Sequence, residues 1–387
     1  MTEWDKEYIK LCKTILKEGV EVHNRTGVNT IKIPAYNLHF DLRKEFPMLQ
    51  TKQLFSRQAI IEMLWIWQMG SNDVRELQDR NVHIWDEWEV DEDGIYRIYE
   101  PYGEYNPDKE VLVMDPLSVP VDDPFGMRHE FQVKKDENGN PMTAKSLKEG
   151  KTIKAAKYYG PEFAHTIGTA YGYIIDRYKH TQNLIDTLKN NPEDRRMVKS
   201  LWQDEFLRTA VLPSCVWSTE WGVTNDELNL MVHQRSCDVP LGLPFNVTQY
   251  ATLLAMIAQV TDLKPGTIDY SIKDAHIYVN QIDMIKEQIR RANRFKQLSR
   301  MSTEEVQKVL EIVNEKKAQI EDKKSKEYEF LDTEARIADL VLNPSTPRIQ
   351  LDPSVKDFYD FDNSKDIKHV LIKDYKHMGK LSIPVSQ

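Results

Sequence analysis

The sequence predicts a mixed α/β fold, and three observations carry that expectation. Stretches with apolar residues at helical spacing are interleaved with stretches of period-two alternation. Gly, Pro and capping residues fall where those stretches should end. The 387 residues would fill two domains or one large α/β domain with insertions.

The elements follow in order. Tyr8, Ile9, Leu11, Cys12, Ile15 and Leu16 recur at helical spacing, and Thr2 with Asp5 forms a capping pattern ahead of them. "NTIKIPAYNLHFDL" alternates apolar and polar residues as a strand pair would. "SRQAIIEMLWIWQMG" is an apolar helix stopped by Gly70, with one acid, Glu62, among Ile60, Ile61, Leu64 and Trp65. "PFNVTQYATLLAMIAQVTDL" is apolar nearly all round, the pattern of a buried central helix. "PRIQLD" and "KHVLIKDY" look like closing strands.

Two stretches look inserted. Residues 89 to about 165 are rich in Asp, Glu, Pro and Gly, with little periodicity. Residues of about 297 to 342 carry a capping box, Ser302 with Glu305, and an apolar face of Val306, Val309, Leu310 and Val313. A surface helix or helical hairpin is the expectation there, with a partner-binding helix as the alternative.

Composition narrows the class. A net charge of −9 argues against sequence-independent binding to nucleic acid, although a local Arg cluster can still hold a small phosphate. Three cysteines make no disulfide framework. No run of about 18 apolar residues marks a membrane span, and the charged N-terminus lacks a signal-peptide core. A soluble, cytoplasmic protein is expected.

Chemistry concentrates in a few places. Cys215, in "LPSCVWSTEW", is either a buried core thiol or a nucleophile. Cys237 lies about twenty residues on, in "HQRSCDVPLGLPFN", and on composition alone could equally be the functional thiol. The same stretch gathers Gln234, Arg235, Ser236, Asp238 and Asn246, all suited to polar ligands. Arg25, Arg195, Arg196 and Arg235 are candidate phosphate forks. In "DAHIYVN", His276 and Tyr278 stand two apart on an expected strand, so their side chains share a face. Neither a metal-ligand pattern nor a nucleotide-binding glycine motif is present.

In this order, "NRTG", "FPMLQTKQL", "IIEMLW", "NVHIWDEW", "AYGY", "DRRMVKSLW", "LPSC", "QRSCDVPLGLPFN" and "DAHIYVN" resemble the thymidylate synthase family, and the closing "IPVSQ" resembles its tail. The resemblance implies a large bent mixed sheet packed with helices, paired back to back in a homodimer within one catalytic domain spanning 1–387. It implies a deoxynucleoside monophosphate substrate and methylenetetrahydrofolate as cosubstrate, with no metal, no nucleic acid and no membrane. Cys215 then matches the nucleophile. Arg25, Arg235 and Ser236 match phosphate ligands, and Arg195 and Arg196 match those supplied by the second subunit. His276 and Tyr278 match the ribose pair, Asn246 the pyrimidine reader, and Glu62 the acid near the base. Tyr171, Trp85 and Trp88 match proton-transfer or folate-side positions. Lys52, Ile84, Asp238, Leu241 and Phe245 match the cofactor side, Asp238 also touching substrate.

The resemblance leaves the base and the product to be argued. An Asn amide can match the N3–H donor and O4 acceptor of uracil at once, which favours dUMP over dCMP. Departures from the family pattern bear on the product: Val216 directly after Cys215, Ile272 and Lys273 before Asp274, polar Gln387 at the end, and the two insertions. These point to water attack, and so to a deoxyuridylate hydroxymethylase of the phage kind. The alternative is a thymidylate synthase, in which hydride transfer gives a methyl group. A dCMP hydroxymethylase and an inactive binding homologue are lesser alternatives.

Overall fold

The computed structural model describes residues 1–24, 27–100 and 103–385. Its contacts group into two compact units, one of Met1–Ile60, Trp221–Lys356 and the segment from Lys368 on, the other of Ile61–Glu220 and Asp357–Ile367.

In chain order the helices and strands are α1 (Glu3–Glu18), β1 (Val20–Val22), β2 (Thr30–Asp41), α2 (Ser56–Trp67), α3 (Val74–Gln78), β3 (Ile95–Tyr99), β4 (Val111–Asp115), β5 (Gln132–Val133), β6 (Thr143–Ala144) and β7 (Ile153–Tyr158). There follow α4 (Gly172–Arg177), α5 (His180–Asn190), β8 (Val198–Ser200), β9 (Val216–Thr224), β10 (Glu227–Gln234), β11 (Cys237–Asp238), α6 (Gly242–Val260) and β12 (Lys264–Tyr278). The chain continues with α7 (Ile282–Leu298), α8 (Thr303–Ala318), α9 (Lys326–Leu342), β13 (Arg348–Leu351) and β14 (Val370–Lys373).

The large sheet is mixed, in the order β1-β2-β12-β10-β9-β8, with β11 on β12. β12 runs antiparallel to β2 and parallel to β10. A parallel pair needs a crossover, and α6 supplies it. Fifteen residues of α6 are buried, so its all-round apolar sequence is the pattern of a core helix. Each fully buried Leu or Ile there stabilises by about 1.5–3 kcal/mol. Its buried Thr248 and Thr252 hydroxyls are satisfied by donating to the carbonyls of Pro244 and Thr248, four residues back.

The expected strand pair at 29–42 is a single twelve-residue strand, β2. Its ladder with β12 skips Pro34 and Asp274, between the Ala35–Lys273 and Ile33–Ala275 pairs. Proline has no N–H to give a ladder. Opposite it Asp274 takes a left-handed backbone, φ 55°. The break frees the Asp274 carboxylate for other work.

α1 is capped by Thr2, whose hydroxyl accepts from Asp5 N at 3.0 Å, a cap typically worth about 1 kcal/mol. Asp5 is itself buried. It accepts the backbone N–H groups of Gln50 and Thr51 at 2.9 Å and the Thr51 hydroxyl at 2.7 Å. That fixes the "FPMLQTKQL" loop.

Both inserted-looking stretches contain regular elements. Residues 95–158 hold a small five-stranded sheet, β3-β7-β4-β5 with β6 on β4, around Ile95, Val113, Ala144, Ile153 and Ala156. α8 and α9 form a hairpin, and the Ser302–Glu305 capping box is present. Val306 is buried in a cluster with Leu298, Ile337, Ala338, Leu340 and Met378. β13 and β14 pair antiparallel, as expected of closing strands. Among the described residues no helix is long and apolar enough to cross a membrane.

Candidate active site

The candidate residues are divided between the two units. In the second unit Cys215 stands just ahead of β9 and is half-buried. Its backbone N–H donates to the Tyr171 hydroxyl at 2.8 Å. Tyr171 precedes α4 with φ 46°, a left-handed backbone uncommon for an aromatic residue. The next residue, Gly172, abuts the Ser71 backbone so closely that a Cβ would overlap it. The "AYGY" motif therefore fixes where the Tyr171 hydroxyl points.

The Tyr171 ring meets the edge of Trp85 at 5.6 Å between centroids, and Trp88 meets Trp85 at 5.5 Å. Trp85 donates its Nε1–H to Glu62 Oε1 at 2.8 Å. Both residues are 8% exposed. The one acid of α2 is thus a buried carboxylate held by an indole, and such a charge depends on its hydrogen bonds. Ile84 and Trp88 are half-buried. Arg195 and Arg196 are exposed ahead of β8, and Arg196 pairs with Asp194 at 2.9 Å.

In the first unit the turn from β10 to β11 carries Arg235 and Ser236, both half-buried. Gln234, just before them, has a larger part than its sequence position suggests. It is 3% exposed and donates Nε2–H to the Ser236 carbonyl at 3.0 Å. That acceptor is a carbonyl, so the Gln234 amide can have only one orientation. The same Nε2 donates to Asn246 Oδ1 at 3.3 Å, and Asn246 Nδ2 donates to Gln249 Oε1 at 3.0 Å. Tyr270 closes the chain by donating to Gln234 Oε1 at 2.6 Å. Gln249 and Tyr270 carry no sequence signal of their own, since one lies on an apolar helix and the other on a buried strand.

His276 and Tyr278 share a face of β12, with ring centroids 5.2 Å apart. His276 Nδ1 faces the carbonyl and the carboxylate of Asp274 at 3.1 and 3.0 Å. Both partners are acceptors, so Nδ1 carries a proton and Nε2 is the acceptor position of the neutral ring. The bond to His276 is the main cause that holds the Asp274 carboxyl down at about 2, with Lys32 adding to it.

Asp238 accepts from Leu241 N at 3.0 Å and from Gln281 Nε2 at 3.1 Å. Burial pushes its carboxyl above the usual range, against those bonds and the nearby His276 and Lys52. Leu241 and Phe245 are half-buried at the start of α6. Lys52 is 5% exposed and gives its amino group to the Pro240 carbonyl, and burial lowers its pKa to about 8. Cys237 is wholly buried, unlike Cys215. Arg25 and Gln387 lie outside the described residues.

The thymidylate synthase family model matches residues 6–336. A thymidylate synthase of Clostridium beijerinckii is 33% identical over 386 residues, covering 100% of each chain. One of varicella-zoster virus is 33% identical over 291 residues, 74% of this chain and 80% of its own. The solved structure of thermostable thymidylate synthase A from Bacillus subtilis matches with a TM-score of 0.62 at 27% identity, over 99% of both chains. The chain belongs to the thymidylate synthase family, whose members are folate-dependent one-carbon transferases using methylenetetrahydrofolate.

Proposed function

We propose that the protein is a thymidylate synthase, which methylates dUMP at C5 through a covalent adduct on Cys215. The observation that carries this is the linked set in one unit: Cys215 N–H on Tyr171, Tyr171 against Trp85, and Trp85 on the buried Glu62. It joins a thiol, an aromatic wall and a carboxylate kept from water.

C5 of a pyrimidine is a weak nucleophile. The Cys215 thiolate adds at C6, forming the Sγ–C6 bond and spending the C5–C6 double bond, so that C5 becomes enolate-like. Once C5 has bonded to the one-carbon unit and lost its proton, and hydride has reached that carbon, the Sγ–C6 bond breaks, restoring the C5–C6 double bond and freeing the Cys215 thiolate; one hard step is thereby divided into easier ones. The folate supplies the one-carbon unit and, in this ending, the hydride. Glu62 serves proton movement near O4 of the base, and Tyr171 serves removal of the C5 proton. Asn246 reads N3–H and O4, its amide oriented by Gln234. His276 accepts from the ribose 3′-hydroxyl with Tyr278 beside it. Arg235, Ser236 and Arg25 bind the phosphate. Arg195 and Arg196 are supplied by a second copy in a homodimer, and their exposure in the single chain supports that assignment.

The folate fits the donor set present. A half-buried carboxylate, Asp238, stands beside the apolar Leu241 and Phe245, which suits a heteroaromatic ring carrying N–H donors. Lys52 holds the turn ahead of Leu241.

The hydroxymethylase expectation yields to this reading. The insertions are no mark of a different ending, because a relative named thymidylate synthase aligns along the whole chain. Val216 and Ile272 are 2% and 1% exposed, so they fill core positions. Hydride transfer is the better-supported ending.

The test is mass spectrometry of protein quenched in acid during turnover. A nucleotide adduct on the peptide containing Cys215, absent from Cys215→Ala, is expected. Normal turnover by Cys215→Ala would overturn the mechanism.

A further inference from the structure

A single buried amide ties the C-terminal strap to the carboxylate assigned to the folate side. Gln281 is 0% exposed. Its Oε1 accepts the Tyr278 N–H at 3.2 Å. Its Nε2 donates to Asp238 Oδ2 at 3.1 Å and to the Pro384 carbonyl at 3.0 Å. Oε1 faces a donor and Nε2 faces two acceptors, so the orientation of the amide is unambiguous.

The strap is anchored earlier as well. Met378 N donates to the Gln50 carbonyl at 2.7 Å, and Gln53 N to the Gly379 carbonyl at 2.9 Å. The buried Arg291 donates to the carbonyls of Gly379 and Lys380 at 3.3 and 3.1 Å. Residues 381–385 are half-buried or exposed. Among the described residues, Pro384 is the strap's one hydrogen-bonded point after Lys380.

We propose that Gln281 is a positioning residue for folate, coupling seating of the strap at Pro384 to the placement of Asp238. This rests on the thymidylate synthase reading of Asp238. With the strap seated, both Nε2 hydrogens are used and Asp238 Oδ2 is fixed. With the strap released, one buried N–H loses its acceptor, and only the bonds to Asp238 and Tyr278 still hold the amide. Anything that engages Asp238 in the seated geometry must therefore also hold the strap, by linkage.

The test uses the full chain and its Gln281→Met variant, close in volume but without the amide. Amide exchange across residues 381–385 is expected to quicken at least about tenfold, while α7 keeps its protection. Affinity for tetrahydrofolate in the presence of dUMP should fall by a similar factor, and affinity for dUMP alone should not change. Unchanged tetrahydrofolate affinity overturns the proposal, as does a parallel loss of dUMP affinity, which would mark a merely structural role. Gln281→Glu serves if the methionine variant fails to fold: it keeps the acceptor for Tyr278 and sets an oxygen against Asp238 and Pro384. It should show the same split. Neither readout depends on turnover. A wild-type protein that forms no methylated nucleotide yet shows both effects would sink the synthase reading and leave the Gln281 coupling standing.

Discussion

Asn246 Oδ1 accepts from Gln234 Nε2 at 3.3 Å, and the Ser236 carbonyl on the same nitrogen fixes which way both amides face. A lone Asn could flip to read either uracil or cytosine. In this chain its NH2 is turned to Gln249 and its carbonyl to Gln234, leaving one lone pair and one hydrogen for a base. Asn246→Asp replaces the donor with an acceptor. One mismatched buried hydrogen bond costs about 1–3 kcal/mol. The ratio of kcat/KM for dUMP over dCMP should fall at least about tenfold. An unchanged ratio would remove Asn246 from base selection.

Trp85 and Glu62 act as one unit in the proposed chemistry. Trp85→Phe keeps most of the buried ring area and deletes the 2.8 Å bond to Glu62. A hydrogen bond to a charged group is worth about 1.5–3 kcal/mol. We expect kcat to fall roughly ten- to a hundredfold, with dUMP affinity held. Loss of affinity without loss of kcat would place Trp85 in packing alone.

The Asp274 carboxyl, held near 2 by His276 and Lys32, makes stability depend on acid. Its folded pKa lies below its ordinary 3.8, so the contribution is complete above that value and is lost as pH falls toward about 2. Asp274→Asn should be less stable than wild type at neutral pH, and the gap should close between about pH 4 and pH 2. Denaturant titrations at several pH values check this. A gap that does not narrow would mean the loss is steric.

Arg195 and Arg196 are exposed in the single chain, and Arg196 pairs with its near neighbour Asp194. If they serve a second copy, Cys215→Ala and a variant with both arginines changed to Ala are each inactive alone. Refolded together, they form some dimers with one complete set of residues, and activity should return. No recovery from a mixture shown to exchange subunits would contradict the shared assignment.

Much of the candidate site is legible in the sequence because its residues sit in short, chemically dense motifs. Cys215, Arg235, Asn246 and the His276–Tyr278 pair all stand in such motifs, and the Ser302–Glu305 box marks the start of the α8–α9 hairpin. The small sheet at 95–158 is not legible. Its strands are two to six residues long, too short for a period to emerge. The single strand at 29–42 is hidden by Pro34, a residue that ordinarily interrupts a ladder, whereas the partner strand accommodates it with the left-handed Asp274. The structural parts of Gln234 and Gln281 are hidden too, because a buried amide declares itself only through partners that the chain order does not reveal. Val216 is no guide to the product for a related reason: burial at 2% exposure explains an apolar residue there without reference to chemistry.

The most direct measurement is the product itself. Purified protein is supplied with dUMP and methylenetetrahydrofolate, dihydrofolate is followed by its near-ultraviolet absorbance, and the nucleotide is identified by mass. Dihydrofolate and a methylated nucleotide in equal amounts are the expected result for a synthase. A hydroxymethylated nucleotide with no dihydrofolate would contradict the synthase reading and put water where hydride is proposed to act.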